Sequence, residues 1–228
     1  MNEKKAQNIV ESVKQVYNAV ATPFIASRTR DWREFEVLIK NIPIDAHVLD
    51  AGCAHGRLVP LLLAHGITKE NYTGIDISEK LITHARATFP EMSFTFGNVC
   101  VLPYEAERFD IVISSAVLHH IPSRALRIAM IQEMYRVLRP DGKVHLLVWN
   151  AFYFPHLRKH IIWSYIKSIF TIGLHEAGDM NLTFFGKRNI RYVHAFTIHS
   201  LKKIFKDAGI AKIVIIPTGK NYYIIIKK

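Results

Sequence analysis

The sequence predicts a doubly wound α/β fold on a mostly parallel seven-stranded sheet with one antiparallel strand. Two observations carry this expectation. Short apolar runs of strand character alternate with stretches of helical spacing from residue 46 to residue 149, which implies a parallel sheet with helices on both faces. The chain then closes with two strand-like runs around Pro217-Thr218-Gly219-Lys220-Asn221, a hairpin turn that reverses one strand.

Residues 1–44 read as helices, with Val10, Val13, Val16, Tyr17 and Val20 at helical spacing. They form a helical cap on the cofactor side, and residues 45–228 form the domain proper. Ala46–Asp50 is the first strand and Arg57–Ala64 the first crossover helix. Tyr72–Asp76 is the second strand, followed by a helix over Glu79–Thr88 for which Ser78 is the natural N-cap. Met92–Gly97 and Phe109–Ser115 are strands three and four. A helix over Ser123–Leu138 leads through the turn Arg139-Pro140-Asp141-Gly142 into strand five, Lys143–Trp149. Residues 150–195 are an insertion, read as a basic, aromatic lid over the substrate. Ile198–Ala208 is a helix closed by Gly209, and Lys212–Ile216 and Tyr222–Lys227 are the hairpin strands.

Half of the 228 residues are apolar, enough for one good core and not for a second full domain. Cys53 and Cys100 sit in no metal-binding spacing, which predicts a reducing compartment and no structural zinc. The amino terminus mixes Lys4 and Lys5 with Glu3 and Glu11 and lacks an apolar segment, so no secretory signal is expected. The best apolar run, Ile161–Leu174, is interrupted by Lys167 and too short to span a bilayer. A cytoplasmic protein is the expectation. Its net charge of +11 is uneven: residues 1–149 carry 17 basic against 16 acidic side chains, residues 150–228 carry 13 against 3. A basic segment rich in aromatics points to a polyanionic partner, nucleic acid foremost.

The chemistry lies in Val48-Leu49-Asp50-Ala51-Gly52-Cys53-Ala54-His55-Gly56-Arg57-Leu58 and in Asp76, twenty residues beyond Gly56. A strand ends at Asp50, and Gly52 and Gly56 let the backbone pass close to a ligand. Asp76 ends the next strand, placed to accept both hydroxyls of a ribose. A dinucleotide site wants glycine at positions 54 and 57, where Ala54 and Arg57 stand, and no G-K-[ST] follows for a phosphate loop. In an open parallel sheet the ligand sits beyond the carboxyl ends of the strands. That places Asp50, Gly52, Ala54, Gly56, Asp76, Ile77, Asn98, Val99 and Ser115 at the ligand, with His119 and His120 at the rim. Adjacent histidines on a turn point apart, so no metal site is read there.

The surviving pattern, D-x-G-x-x-x-G with a ribose acid, resembles the S-adenosylmethionine site of the class I methyltransferases, whose Rossmann-like sheet carries one antiparallel strand. With Tyr72–Leu81, Phe109–Pro122 and Arg136–Gly142 the resemblance narrows to the type-11 branch. Val16–Ala21, Phe24, Ser27-Arg28, Trp32, Val148-Trp149-Asn150, Gly178-Asp179 and Arg191–Phe196 are similar to the tRNA wobble carboxymethyluridine methyltransferases and their prokaryotic relatives. The resemblance implies S-adenosylmethionine as cofactor, tRNA as partner with no DNA, a small zinc-binding activator subunit, and esterification of a carboxymethyl group. It also implies that Arg28, Trp32, His119, Asp179, Arg191 and His194 line the acceptor site. Arg28 and Arg191 would hold the carboxylate, and Trp32 or Tyr192 would stack on the base. Lys187 and Arg188 would meet phosphates. Three positions depart from the family: Ala54-His55 replaces Gly-Asn, Ile25 replaces a serine, and Asn98 replaces an acid. Methylation of a small molecule, such as a carboxylate, quinone precursor or natural product, stays open, as does a non-catalytic cofactor-binding subunit.

Overall fold

The computed structural model describes residues 1–28, 33–171 and 173–228. Three helices come first: α1 (Glu3–Ala19), α2 (Ala21–Ala26) and α3 (Arg33–Ile39). Strands and helices then alternate as β1 (Val48–Ala51), α4 (Val59–His65), β2 (Tyr72–Asp76), α5 (Glu79–Thr88), β3 (Ser93–Phe96), β4 (Phe109–Ser115), α6 (Arg124–Arg136) and β5 (Leu138–Trp149). The insertion holds α7 (Arg158–Phe170), β6 (Asp179–Thr183) and β7 (Ile190–His194). Last come α8 (Ile198–Asp207), β8 (Ile213–Pro217) and β9 (Asn221–Lys227).

Seven strands pair in the order β3-β2-β1-β4-β5-β9-β8. Only β9 is reversed, antiparallel to β5 and to β8, which is the predicted fold class. The strand period sorts the core. Val48, Ile111, Ile113 and Leu147 meet Leu62 of α4 and Ile82 and Ala85 of α5; their neighbours Leu49, Val112, Leu146 and Val148 meet Met130 and Met134 of α6 and Leu201 and Phe205 of α8. Each such side chain contributes about 1.5–3 kcal/mol by leaving water. Both faces being covered, the strands read as continuous apolar runs.

Helix starts follow their caps. The Ser78 and Ser123 hydroxyls accept the Leu81 and Leu126 amides at 3.3 Å, so Ser123 is the cap of α6 rather than its first residue. α4 starts at Val59 rather than Arg57 because the chain is still turning at Gly56, whose carbonyl accepts the Val59 amide. Pro60 then occupies the first turn, where a missing N–H leaves no bond unmade.

Two further differences bear on the site. β5 already pairs at Leu138 with Phe109, and residues 139–142 bulge out before Lys143 pairs with Ile111, so the expected turn is an irregularity inside the strand. The insertion carries structure of its own, α7 and a separate two-stranded sheet of β6 and β7. Those strands mix Asp, Asn, Arg and His with apolar residues over five positions, too short a run for a clear period.

The chain winds outward in opposite directions from β1 and β4, which are neighbours. Their carboxyl ends therefore open a crevice.

Candidate functional site

A cleft of about 400 Å³ occupies that crevice. One end is made by the loops after β1, β2 and β3. The Gly52 and Cys53 amides both donate to the Ile75 carbonyl, at 2.7 and 3.0 Å, folding the loop after β1 back over β2. Gly52 has φ +91°, and a Cβ there would stand 2.1 Å from Val117 Cγ2, so any other residue would be strained and would push Val117 aside. Ala54 is also left-handed, with φ 51°. Its amide donates to Asp76 Oδ2 at 2.9 Å, and the Ser78 amide donates to Asp76 Oδ1 at 2.8 Å. The acid at the end of β2 is thereby aimed into the cleft. Burial raises its pKa against the pull of these amides. From α1, Asn18 Oδ1 accepts the Ser78 hydroxyl at 2.7 Å, fastening the N-terminal cap over this end.

Asp50 lies deeper. It accepts the Tyr72 hydroxyl at 3.2 Å and is 1% exposed. Burial pushes its pKa up to about 7, the Tyr72 bond opposes this, and the Asp76 charge adds to it. A buried carboxyl so placed either keeps its proton or is balanced by a cation in the cleft. Ile77, Val99 and Ser115 line the same end, as does Asn98. Asn98 Oδ1 accepts the Cys100 amide at 2.9 Å, a local turn that already uses its acceptor oxygen.

The opposite end is assembled from distant parts. His119 and His120 sit in a short turn after β4, and both line the cleft. Their ring centroids lie 4.3 Å apart, which corrects the expectation that they point apart. Each ring has its own anchor: the Trp149 amide donates to His119 Nδ1 at 3.4 Å, and His120 Nδ1 donates to the Tyr192 carbonyl at 2.9 Å. A neutral His119 therefore carries its proton on Nε2. Burial, with Arg191 close by, holds His120 at about 3; burial, His120 and Arg191 keep His119 well below the usual imidazole range. Tyr17 of α1 closes the chain of bonds. Its oxygen lies 3.0 Å from His120 Nε2 and accepts Arg191 Nη1, also at 3.0 Å. Arg191 stacks on Phe184 at 3.8 Å, and its buried Nε has no protein partner. Arg28 also lines the cleft, 5.4 Å over the Phe24 ring. Trp32 lies outside the described residues.

Asp179, Tyr192 and His194 do not line this cleft; they form a buried knot beneath it. Asp179 Oδ1 accepts the Tyr192 hydroxyl at 2.5 Å and His194 Nδ1 at 2.8 Å. Arg127, 2% exposed, donates to the Tyr192 hydroxyl and the Ile121 carbonyl at 3.2 Å each and pairs with Glu176. The knot fastens the insertion to α6. Glu176, Asp179 and His194 bring ligand atoms within 4.8 Å of one another, yet those atoms are engaged by Arg127, Tyr192 and each other, which leaves a metal no free donor set. Lys187 and Arg188 are exposed in the β6–β7 turn. Sequence reasoning gave Tyr17 no polar role and overlooked Arg57, Phe154 and Asn221 in the wall. The polar residue on the otherwise apolar Val13–Val20 stripe was the available signal for Tyr17.

Residues 48–142 match the family described as methyltransferase domain. A tRNA (carboxymethyluridine(34)-5-O)-methyltransferase of Arabidopsis thaliana is 33% identical over 61% of this chain and 33% of its own length; that of Saccharomyces cerevisiae is 30% identical over 63% and 50%. A ubiquinone biosynthesis O-methyltransferase of Coxiella burnetii is 29% identical over 57% of this chain and 55% of its own. The chain thus spans a third to a half of the length of the two tRNA relatives. A crystal structure of a SAM-dependent methyltransferase from Methanosarcina mazei superposes with a TM-score of 0.67 at 22% identity, over 84% of this chain and 96% of that one. Residues 48–142 thus resemble a methyltransferase domain, and the chain has the fold of the solved S-adenosylmethionine-dependent methyltransferase.

Proposed function

We propose that the chain transfers a methyl group to an already ionised acceptor, the carboxymethyl group on a wobble uridine of tRNA, and so forms a methyl ester. The observation that supports this reading is the cleft lining, which includes two arginines, Arg28 and Arg191, and two histidines, His119 and His120, whose burial makes them weak bases. A phenol or other weakly acidic hydroxyl needs a base there. A carboxylate is ionised without one and needs only alignment.

The cofactor end fits the donor. Asp76 would take the ribose hydroxyls, Gly52 leaves the backbone bare where a side chain would intrude, and Asp50 would meet the ammonium of the methionine part. S-adenosylmethionine supplies an electrophilic methyl carbon on a positively charged sulfur. Arg28 and Arg191 would fork the acceptor carboxylate, and His119 would offer a neutral Nε2–H donor to its oxygen. Val10, Val13 and Phe24 of the N-terminal helices and the apolar wall of Phe154 and Trp149 would exclude water. The excess of basic residues after 149, with Lys187 and Arg188 exposed on the hairpin, supports a polyanionic partner. A small zinc-binding activator belongs to the same reading.

The test is incubation of the purified chain with methyl-labelled S-adenosylmethionine and tRNA bearing carboxymethyluridine, alone and with cell extract. Label released from the nucleoside by mild alkali, as from an ester, is the expected result. Label on a free small molecule of the extract and none on tRNA overturns the substrate assignment.

A further inference from the structure

The insertion turns apolar residues outward. α7 packs on β6 and β7 through the stripe of Leu157, Ile161 and Ser164. Ile162, Trp163, Ile166, Ile169 and Phe170 face away from the protein, from 40% exposed at Ile166 to 82% at Phe170. At 3.6 residues per turn these five share one side of the helix with Lys159, flanked by Arg158 on one edge and Lys167 and His160 on the other. No acidic residue occurs from 142 to 175. Apolar surface so concentrated marks a binding face.

A second cleft of about 400 Å³ adjoins this face, lined by Trp163, Lys167 and His160 of α7 together with Lys5 and His175. Lys5 Nζ stands 3.1 Å from His175 Nε2. The carboxylate in the wall, Asp179, is already engaged by Tyr192 and His194. The cleft thus sets Lys5 and Lys167 against one carboxylate, Asp179, and cations are in excess.

We propose that α7 docks the protein on an anionic phospholipid bilayer, its apolar side entering the boundary between headgroups and acyl chains while the adjoining cleft receives a lipid phosphate. Charge complementarity and apolar exposure decide the occupant together. RNA would satisfy the cations and stack on Trp163 but leave three isoleucines in water. A second copy of this chain, itself strongly basic, would cover the isoleucines but give the cationic cleft no counterpart. Such cation-flanked aromatic and aliphatic faces suit the bilayer interface, where lysine stems extend toward the headgroups. The association is peripheral, since no helix among the described residues is long and apolar enough to cross a membrane. It stands independently of which acceptor is methylated.

The experiment is co-sedimentation of the full chain with phosphatidylcholine vesicles, with and without phosphatidylglycerol, at low and high salt. Binding is expected only to the vesicles containing phosphatidylglycerol, and should weaken with salt. Ile166→Asp with Phe170→Asp should reduce it about tenfold or more, and Phe170→Leu should retain it. Lys159→Glu or Lys167→Glu should each reduce it about fivefold or more. All these side chains point outward, so circular dichroism and cofactor binding should match the parent. Absence of binding to anionic vesicles, or equal binding to neutral ones, overturns the proposal. So does a dimer in light scattering, or a tRNA complex, that the double aspartate variant abolishes while vesicles leave the parent protein in solution.

Discussion

The two ends of the main cleft are put together differently. At the end proposed for the cofactor the groups that fix Asp76, the amides of Ala54 and Ser78, lie within 22 positions of it in sequence. At the end proposed for the acceptor Tyr17 reaches His120 across 103 positions and Arg191 across 174. The first is a property of strands and the turns that follow them. The second exists only because α1 and the insertion both dock on the sheet. Loosening the insertion should therefore disable acceptor alignment while the cofactor end keeps its geometry, and four measurements can sharpen or break that separation.

Arg127→Ala should have the largest effect. It removes a buried guanidinium that ties Glu176 and Tyr192 of the insertion to α6, at a cost of about 3–5 kcal/mol. Urea unfolding would read the loss. A variant within 1 kcal/mol of the parent would mean that the knot does not seat the insertion.

Asp76→Ala comes next, costing about 1–3 kcal/mol of S-adenosylmethionine affinity, roughly 5- to 150-fold by calorimetry. tRNA affinity should hold. Parallel loss of both would show the two ends to be one cooperative unit.

The pH dependence of cofactor affinity isolates Asp50. Its pKa is raised to about 7 in the folded protein, so below that pH a cationic ligand must displace a proton. Affinity should climb as pH rises toward 7, by up to about tenfold per unit, and level off above it. Asp50→Asn should flatten the curve. Stability would mix two opposite slopes. The raised Asp50 contributes stability at low pH that is lost as pH rises through about 7; His120 at about 3 and His145 at about 4 contribute stability lost as pH falls from the ordinary imidazole value toward those values.

Tyr17→Phe should be the mildest, removing one hydroxyl shared by Arg191 and His120, about 0.5–1.5 kcal/mol. Its signature is a several-fold fall in acceptor turnover with unchanged cofactor affinity in single-turnover assays. A change in cofactor affinity instead would place Tyr17 in the wrong half of the site.

By itself the sequence determined the sheet and the loops that shape one end of the cleft, because both are written in short-range patterns. Tyr72–Asp76, Glu79–Thr88 and Phe109–Ser115 have the predicted bounds, their apolar runs being buried on both faces or their caps explicit. The loop from Asp50 to Gly56 was legible because left-handed backbone and close approach demand glycine at Gly52 whatever the rest of the chain does. Only the tertiary structure decided the acceptor end. Asp179, Tyr192 and His194 went to the buried knot and Arg191 to the cleft wall, although all four lie within sixteen residues. Side chains alternate across a strand, so β7 sends Arg191 and Tyr192 to opposite sides, and which side meets the cleft depends on where α1 and α6 pack. That choice rests on contacts between segments more than a hundred residues apart, which no local period records.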